Sequence, residues 1–134
     1  MTLLDRARAA GVKITHQRRL VCDALDESDD HPDVDVLLER ARVGDPKLSL
    51  SSVYRTIRAL EEHRLVTRHD FGDGRARYEV NDSQHHDHLI DLDSGKILEF
   101  NDPELETLKR RIARRLGYRL EFHSLELYGR ARNG

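Results

Sequence analysis

Residues 81–84 read Asn81-Asp82-Ser83-Gln84, four polar side chains with no apolar one among them. A folded unit has to draw apolar side chains from its whole length. A gap of this kind therefore predicts a linker between two compact units in a chain of 134 residues. The hydrophobic rhythm differs on the two sides. Before the gap it is mainly helical. Leu3, Leu4, Ala7 and Ala10 make a short helix closed by Gly11, and Thr15 is placed to cap a second helix with Leu20, Val21, Ala24 and Leu25 inside. Val34, Leu37, Leu38 and Ala41 make a third helix, ended at Gly44-Asp45-Pro46. Ser51 or Ser52 is expected to cap a fourth, which runs to about His63. Two strand-like runs, 65–71 and 75–80, then flank Gly72-Asp73-Gly74 as a hairpin.

After the gap the pattern is a strand over 86–92, a turn at Ser94-Gly95, and a strand over 96–100. A helix opened by Asp102-Pro103 follows, with Leu105, Leu108, Ile112 and Leu116 on one stripe. Gly117 ends that helix, and a long last strand is expected over 118–128. The fold class is thus α+β: a winged helix-turn-helix over 1–80, a linker over 81–84, and a small ββαβ unit over 85–134. About fifty residues seldom bury enough surface to stand alone, so the second unit is expected to dimerise.

The fourth helix carries the argument for nucleic acid. Val53, Ile57 and Leu60 share one face, while Ser51, Tyr54, Arg55 and Arg58 lie on the opposite one. Guanidinium groups fork onto guanine in the major groove and hydroxyls reach phosphate. Lys13, Thr15 and Arg18, at the start of the second helix, and Arg75 and Arg77 in the hairpin are candidate backbone contacts. The net charge is only −2, so DNA would meet a local basic surface and not a basic protein. A solvated helix face is the ordinary alternative. The hairpin directly after the helix favours a winged DNA reader.

The richest chemistry follows the gap, in His85-His86-Asp87-His88. Alternation in a strand puts His86 and His88 on one face and His85 and Asp87 on the other. His86 and His88, joined by His31 and Glu79 from the first unit and by Glu99, would form a regulatory metal site tying the units together. On the other face His85 and Asp87 would join Glu106 and His123 in a second site. Nitrogen and oxygen donors without sulfur suit Fe(II), Mn(II), Co(II) or Zn(II), and a carboxylate-rich shell of five or six favours iron or manganese over tetrahedral zinc. His16, His63 and His69 read as ordinary surface or core histidines.

These segments resemble the ferric uptake regulator (Fur) family over nearly the whole chain. The resemblance rests on residues 11–15 (GVKIT), Arg18, residues 51–56 (SSVYRT), Leu65-Val66, residues 85–90 (HHDHLI), residues 95–100 (GKILEF) and residues 123–129 (HSLELYG). It implies a homodimeric, metal-activated repressor of metal-uptake genes, of the iron type. Its operator would be double-stranded DNA, expected as an A·T-rich palindrome, with higher oligomers on DNA a further possibility. It also implies the two ligand sets above, Tyr54 and Arg55 on DNA, and Lys13 in an adjacent groove. The chain departs at one place. Many members carry a Cys-x-x-Cys pair where this one has Asp91-Leu92-Asp93-Ser94, with a second pair near the C-terminus, and together these hold a structural zinc. With Cys22 as the single cysteine, no thiolate zinc site is expected, and iron-, manganese- and haem-responsive branches all stay open.

A small metal-dependent hydrolase is the competing class, but no HExxH, phosphate loop or nucleophile motif is present. A storage or chaperone protein would leave the first unit idle. The chain is therefore expected not to be an enzyme. With no export leader or membrane-spanning run, a cytoplasmic location without membrane association is expected.

Overall fold

The computed structural model describes residues 1–81 and 85–132. It divides into two compact units, residues 1–83 and 84–134. The expected linker lies largely at 82–84, outside the described residues. Asn81 is held within the first unit: its N–H donates to Leu65 O (2.9 Å), its side-chain amide donates to Arg64 O (2.8 Å), and Thr67 donates to its Oδ1.

The first unit orders as α1 (Leu3–Ala9), α2 (His16–Asp26), α3 (Val34–Ala41), α4 (Leu50–Glu62), β1 (Val66–Asp70) and β2 (Ala76–Val80). Each helix begins on a side-chain cap: Thr2, Thr15, Asp33 and Ser49 accept from the backbone N–H three residues on. The cap of α4 is Ser49, not Ser51 or Ser52 as expected. Ser49 has the extended backbone a cap requires, and Ser52 N donates to its hydroxyl at 3.1 Å, which places Ser51 and Ser52 inside the helix. One apolar core joins Leu3, Val21, Leu25, Leu37, Leu48, Val53, Ile57 and Leu60 to Val66 and Tyr78 of the hairpin. Gly44 closes it at the end of α3, where a Cβ would stand 2.4 Å from Leu20 Cδ2. β1 and β2 pair antiparallel, Val66 opposite Val80 and Asp70 opposite Ala76.

The second unit comprises β3 (Asp87–Asp91), β4 (Ile97–Phe100), α5 (Pro103–Arg115) and β5 (Glu126–Gly129). β3 is central, antiparallel to β4 and parallel to β5. This is the expected ββαβ order, with two corrections. The last strand is four residues long and does not start at Tyr118: β3 offers only five residues to pair with, the contact begins where His88 N donates to Leu125 O (3.1 Å), and among the described residues no strand runs beside residues 118–124. The leucine stripe of α5 does not face the sheet: Leu108, Ile112 and Leu116 are exposed, and the buried residue of this helix is Glu106. Among the described residues, no helix is long and apolar enough to cross a membrane.

Candidate metal centres and nucleic-acid interface

α4 turns Ser52, Val53, Thr56, Ile57 and Leu60 into the core and leaves Ser51, Tyr54, Arg55 and Arg58 exposed. Those exposed side chains line a cleft of about 790 Å³ whose opposite walls are the start of α3 and the hairpin. Arg68 of β1 lines it too, a basic residue that sequence reasoning passed over; its exposed position in the alternating strand was the available signal. The other expected contacts are engaged within the protein. Thr15 caps α2 by accepting from Arg18 N, and Arg18 Nη1 donates to Lys13 O (2.9 Å), so these residues clasp the α1–α2 corner while the Lys13 side chain stays outside. Arg75 pairs with Asp33 (2.9 Å) and Arg77 with Asp73 (2.7 Å). A phosphate reaching either arginine would have to compete with a carboxylate already in place. Arg77 also holds Asp73 below its usual carboxylate pKa, chiefly by hydrogen bonding.

In the first unit, His31 is buried and adopts φ 51°, a left-handed conformation costly for a side chain of this size. The next residue is tied down, since Tyr78 N donates to Pro32 O (3.0 Å). His31 Nε2 stands 3.2 Å from Glu79 Oε2. His69 Nε2 reaches the same oxygen at 2.9 Å. Thr67 faces Glu79 directly across the hairpin, so His69 is its diagonal neighbour on the same face. His69, read from sequence as an ordinary histidine, thus belongs to this donor group, and only the strand register could have revealed it. Its ring stacks on Phe71 at 5.1 Å.

In the second unit, β3 separates the histidine run by face. His88 lies opposite Glu99 in the β3–β4 register, His86 Nε2 is 3.5 Å from Glu99 Oε1, and the His86 and His88 rings are 5.0 Å apart. Each unit therefore carries imidazole next to carboxylate. That chemistry fits a divalent ion with nitrogen and oxygen ligands. Cys22 offers no thiolate alternative: burial, reinforced by Asp23 and Asp26, pushes its thiol up to about 11. At Asp91-Leu92-Asp93-Ser94 the turn is closed by a carboxylate, with Asp93 N and Ser94 N donating to Asp91 Oδ1, and Asp93 is bonded to Arg130.

On the opposite face of β3, His85, Asp87, Glu106 and His123 each bring a donor atom within 4.8 Å of the others. Asp87 is fully buried. Burial pushes its pKa up, but hydrogen bonds from Lys109 and His85 outweigh this and leave it below the ordinary value. Burial is also the main cause that lowers the His123 pKa, and the adjacent Lys109 ammonium adds to it. The sequence reading missed Lys109. It lies one turn after Glu106, on the same face of α5, and Glu106-x-x-Lys109 was the visible signal.

The sequence model of the ferric uptake regulator family matches residues 9–128. The ferric uptake regulation protein of Rhizobium leguminosarum bv. viciae is 49% identical over 128 residues, 96% of this chain and 90% of that protein. A solved zinc-bound manganese uptake regulator is 49% identical, covers 98% of this chain and 99% of its own, and superposes with a TM-score of 0.77. The ferric uptake regulator of Pseudomonas aeruginosa, solved with manganese, is 32% identical over 99% of this chain and all of its own, with a TM-score of 0.86.

Proposed function

The chain belongs to the ferric uptake regulator family and is a metal-responsive transcriptional regulator; from that premise we propose how it works and with which residues. Residues 1–80 read double-stranded operator DNA, and residues 85–134 bind metal and form a homodimer. One Fe(II) or Mn(II) ion per protomer draws on His31 and Glu79 from the first unit and on His86, His88 and Glu99 from the second. The bound ion fixes the relation of the two units and so raises affinity for DNA. Ser51, Tyr54, Arg55 and Arg58 face the major groove, and Lys13 reaches the backbone beside it. The protein acts in the cytoplasm as a repressor, not as an enzyme.

The observation that carries this reading is the division of donors. His31 and Glu79, with His69 beside them, in one unit and His86, His88 and Glu99 in the other are each too few for a six-coordinate ion. An ion completed from both halves is one whose binding free energy depends on interdomain arrangement, which is what a two-state switch needs. The choice of iron or manganese follows the relatives. One at 49% identity is a ferric uptake regulation protein, and a solved regulator at 49% identity is named for manganese uptake. The homodimer is supported by apolar side chains left exposed in the second unit, among them Leu98, Leu108, Ile112, Phe122 and Leu127.

The test is fluorescence anisotropy of an A·T-rich palindromic duplex titrated anaerobically with metal-free protein, then with Fe(II), Mn(II) or Zn(II) added. Fe(II) and Mn(II) are expected to raise affinity by about 5- to 150-fold, the usual span of allosteric coupling, and a chelator to reverse it. Arg55→Ala is expected to lower affinity by about 1–3 kcal/mol without altering metal uptake. Equal DNA binding with and without metal would contradict the switch.

A further inference from the structure

The second donor cluster already contains a cation. Lys109 Nζ lies 2.9 and 2.7 Å from the two oxygens of Asp87, 3.2 Å from Glu106 Oε1 and 3.2 Å from His123 Nδ1. An ammonium group has three N–H donors, and these three side chains use all of them. The surroundings agree with this arrangement. If His123 Nδ1 accepts from lysine, its proton sits on Nε2, 3.4 Å from Glu106 Oε2. His85 Nε2 completes the shell of Asp87 at 2.9 Å from Oδ1.

We infer that Lys109 is the resident cation of the His85–Asp87–Glu106–His123 cluster, and that this cluster is closed to divalent metal. An ion bound there needs the same carboxylates and imidazoles at about 2.0–2.2 Å, so it would have to stand where Nζ stands. It would also have to displace an ammonium group that already bonds both oxygens of the buried Asp87 as well as Glu106 and His123, and leave that charge to find a place elsewhere. The lysine competes as a tethered group already on α5 and gives up no translational freedom, which a free ion does. α5 is built for this role: its leucine stripe faces outward, so Glu106 and Lys109 turn to the sheet. The protein therefore braces its second unit with an internal ion cluster in the place where four metal-competent side chains converge.

The experiment is a Co(II) titration of the metal-free full-length protein, with bound cobalt counted by elemental analysis after gel filtration. The native chain is expected to hold one tight equivalent per protomer, lost in the His86→Ala, His88→Ala double variant. Lys109→Gln, which removes the charge and keeps much of the stem, is expected to take up a second equivalent, and adding His123→Ala to it returns the count to one. His123→Ala alone leaves the native count at one. Two tight equivalents in the native chain, one of them lost on His123→Ala, would overturn the inference, as would a single equivalent in folded Lys109→Gln. If Lys109→Gln does not fold by circular dichroism, the His123→Ala comparison in the native background decides. The His86→Ala, His88→Ala variant separates this inference from the regulatory reading: cobalt kept there but lost on adding His123→Ala would place metal in this cluster and overturn the inference, whereas cobalt kept in that triple variant contradicts the regulatory reading alone.

Discussion

The two units of this chain are built on opposite plans. The first buries an apolar core drawn from four helices and a hairpin, and shows its charges outside. The second buries Asp87, His88 and Glu106, and among the described residues Ile90 is its one buried apolar side chain. Leu92, Leu98, Leu108, Ile112, Phe122 and Tyr128 among others stand in the open. A unit with an apolar core is stable without help and suits a rigid reading head. A unit whose interior is ionic and whose surface is apolar has little core of its own, and in the proposed function it is completed by a second copy and by an ion shared with the first unit. On the proposed reading, the difference explains why the ion takes three donors, His86, His88 and Glu99, from the half that needs completion and only His31 and Glu79 from the half that has its own core.

Substitution tests this contrast most strongly in the first unit. Leu37→Ala, at a fully buried position, is expected to cost about 2–5 kcal/mol in urea unfolding. The same change at Leu108, 43% exposed on α5, is expected to cost within about 0.5 kcal/mol in protomer stability while weakening the dimer in sedimentation. A large loss of protomer stability at Leu108 would break the comparison. Asp87→Ala comes next. It strips the buried carboxylate from Lys109 and is expected to cost about 3 kcal/mol, the low end for a broken buried pair, because Lys109 keeps Glu106. Thermal unfolding should show the loss in the second unit, with hydrogen exchange of α4 unchanged.

The smallest expected effect is on the surface of the first unit, where Arg40 holds Asp30 through two hydrogen bonds. Those bonds, and then the arginine's charge, lower the Asp30 pKa. A depressed carboxylate stabilises the fold above its unfolded pKa and stops doing so as pH falls through the folded value. Both partners are substantially exposed, so Arg40→Ala is expected to cost less than about 1 kcal/mol at pH 7. That difference should vanish in strong acid, and a difference that grew on acidification would reverse the sign of the account.

Much of this organisation was legible in the residues. The face of α4 followed from Val53, Ile57 and Leu60 at helical spacing, and the start of α5 from Asp102-Pro103. The two sides of β3 followed from simple alternation. What stayed hidden depended on partners distant in sequence. His69 joins Glu79 only through a diagonal in the hairpin register. The strand expected from Tyr118 shrank because β3 could pair with only part of it. Lys109 was passed over because the periodicity rule assumes that the apolar stripe of a helix faces inward, whereas α5 turns Leu108, Ile112 and Leu116 outward. Ser49 was overlooked as a cap because three serines compete within four residues and only the backbone chooses among them.

The central claim is that a single ion is shared by donors from both units. Mn(II) affinity of the full-length protein, measured by calorimetry for His31→Ala and for His86→Ala, tests it directly. The account predicts that each substitution, one in either unit, weakens the same single binding event by about tenfold or more, at least the cost of losing an outer-shell partner. Undiminished Mn(II) affinity in His31→Ala, with loss only in His86→Ala, would place the ion wholly in the second unit and contradict the claim.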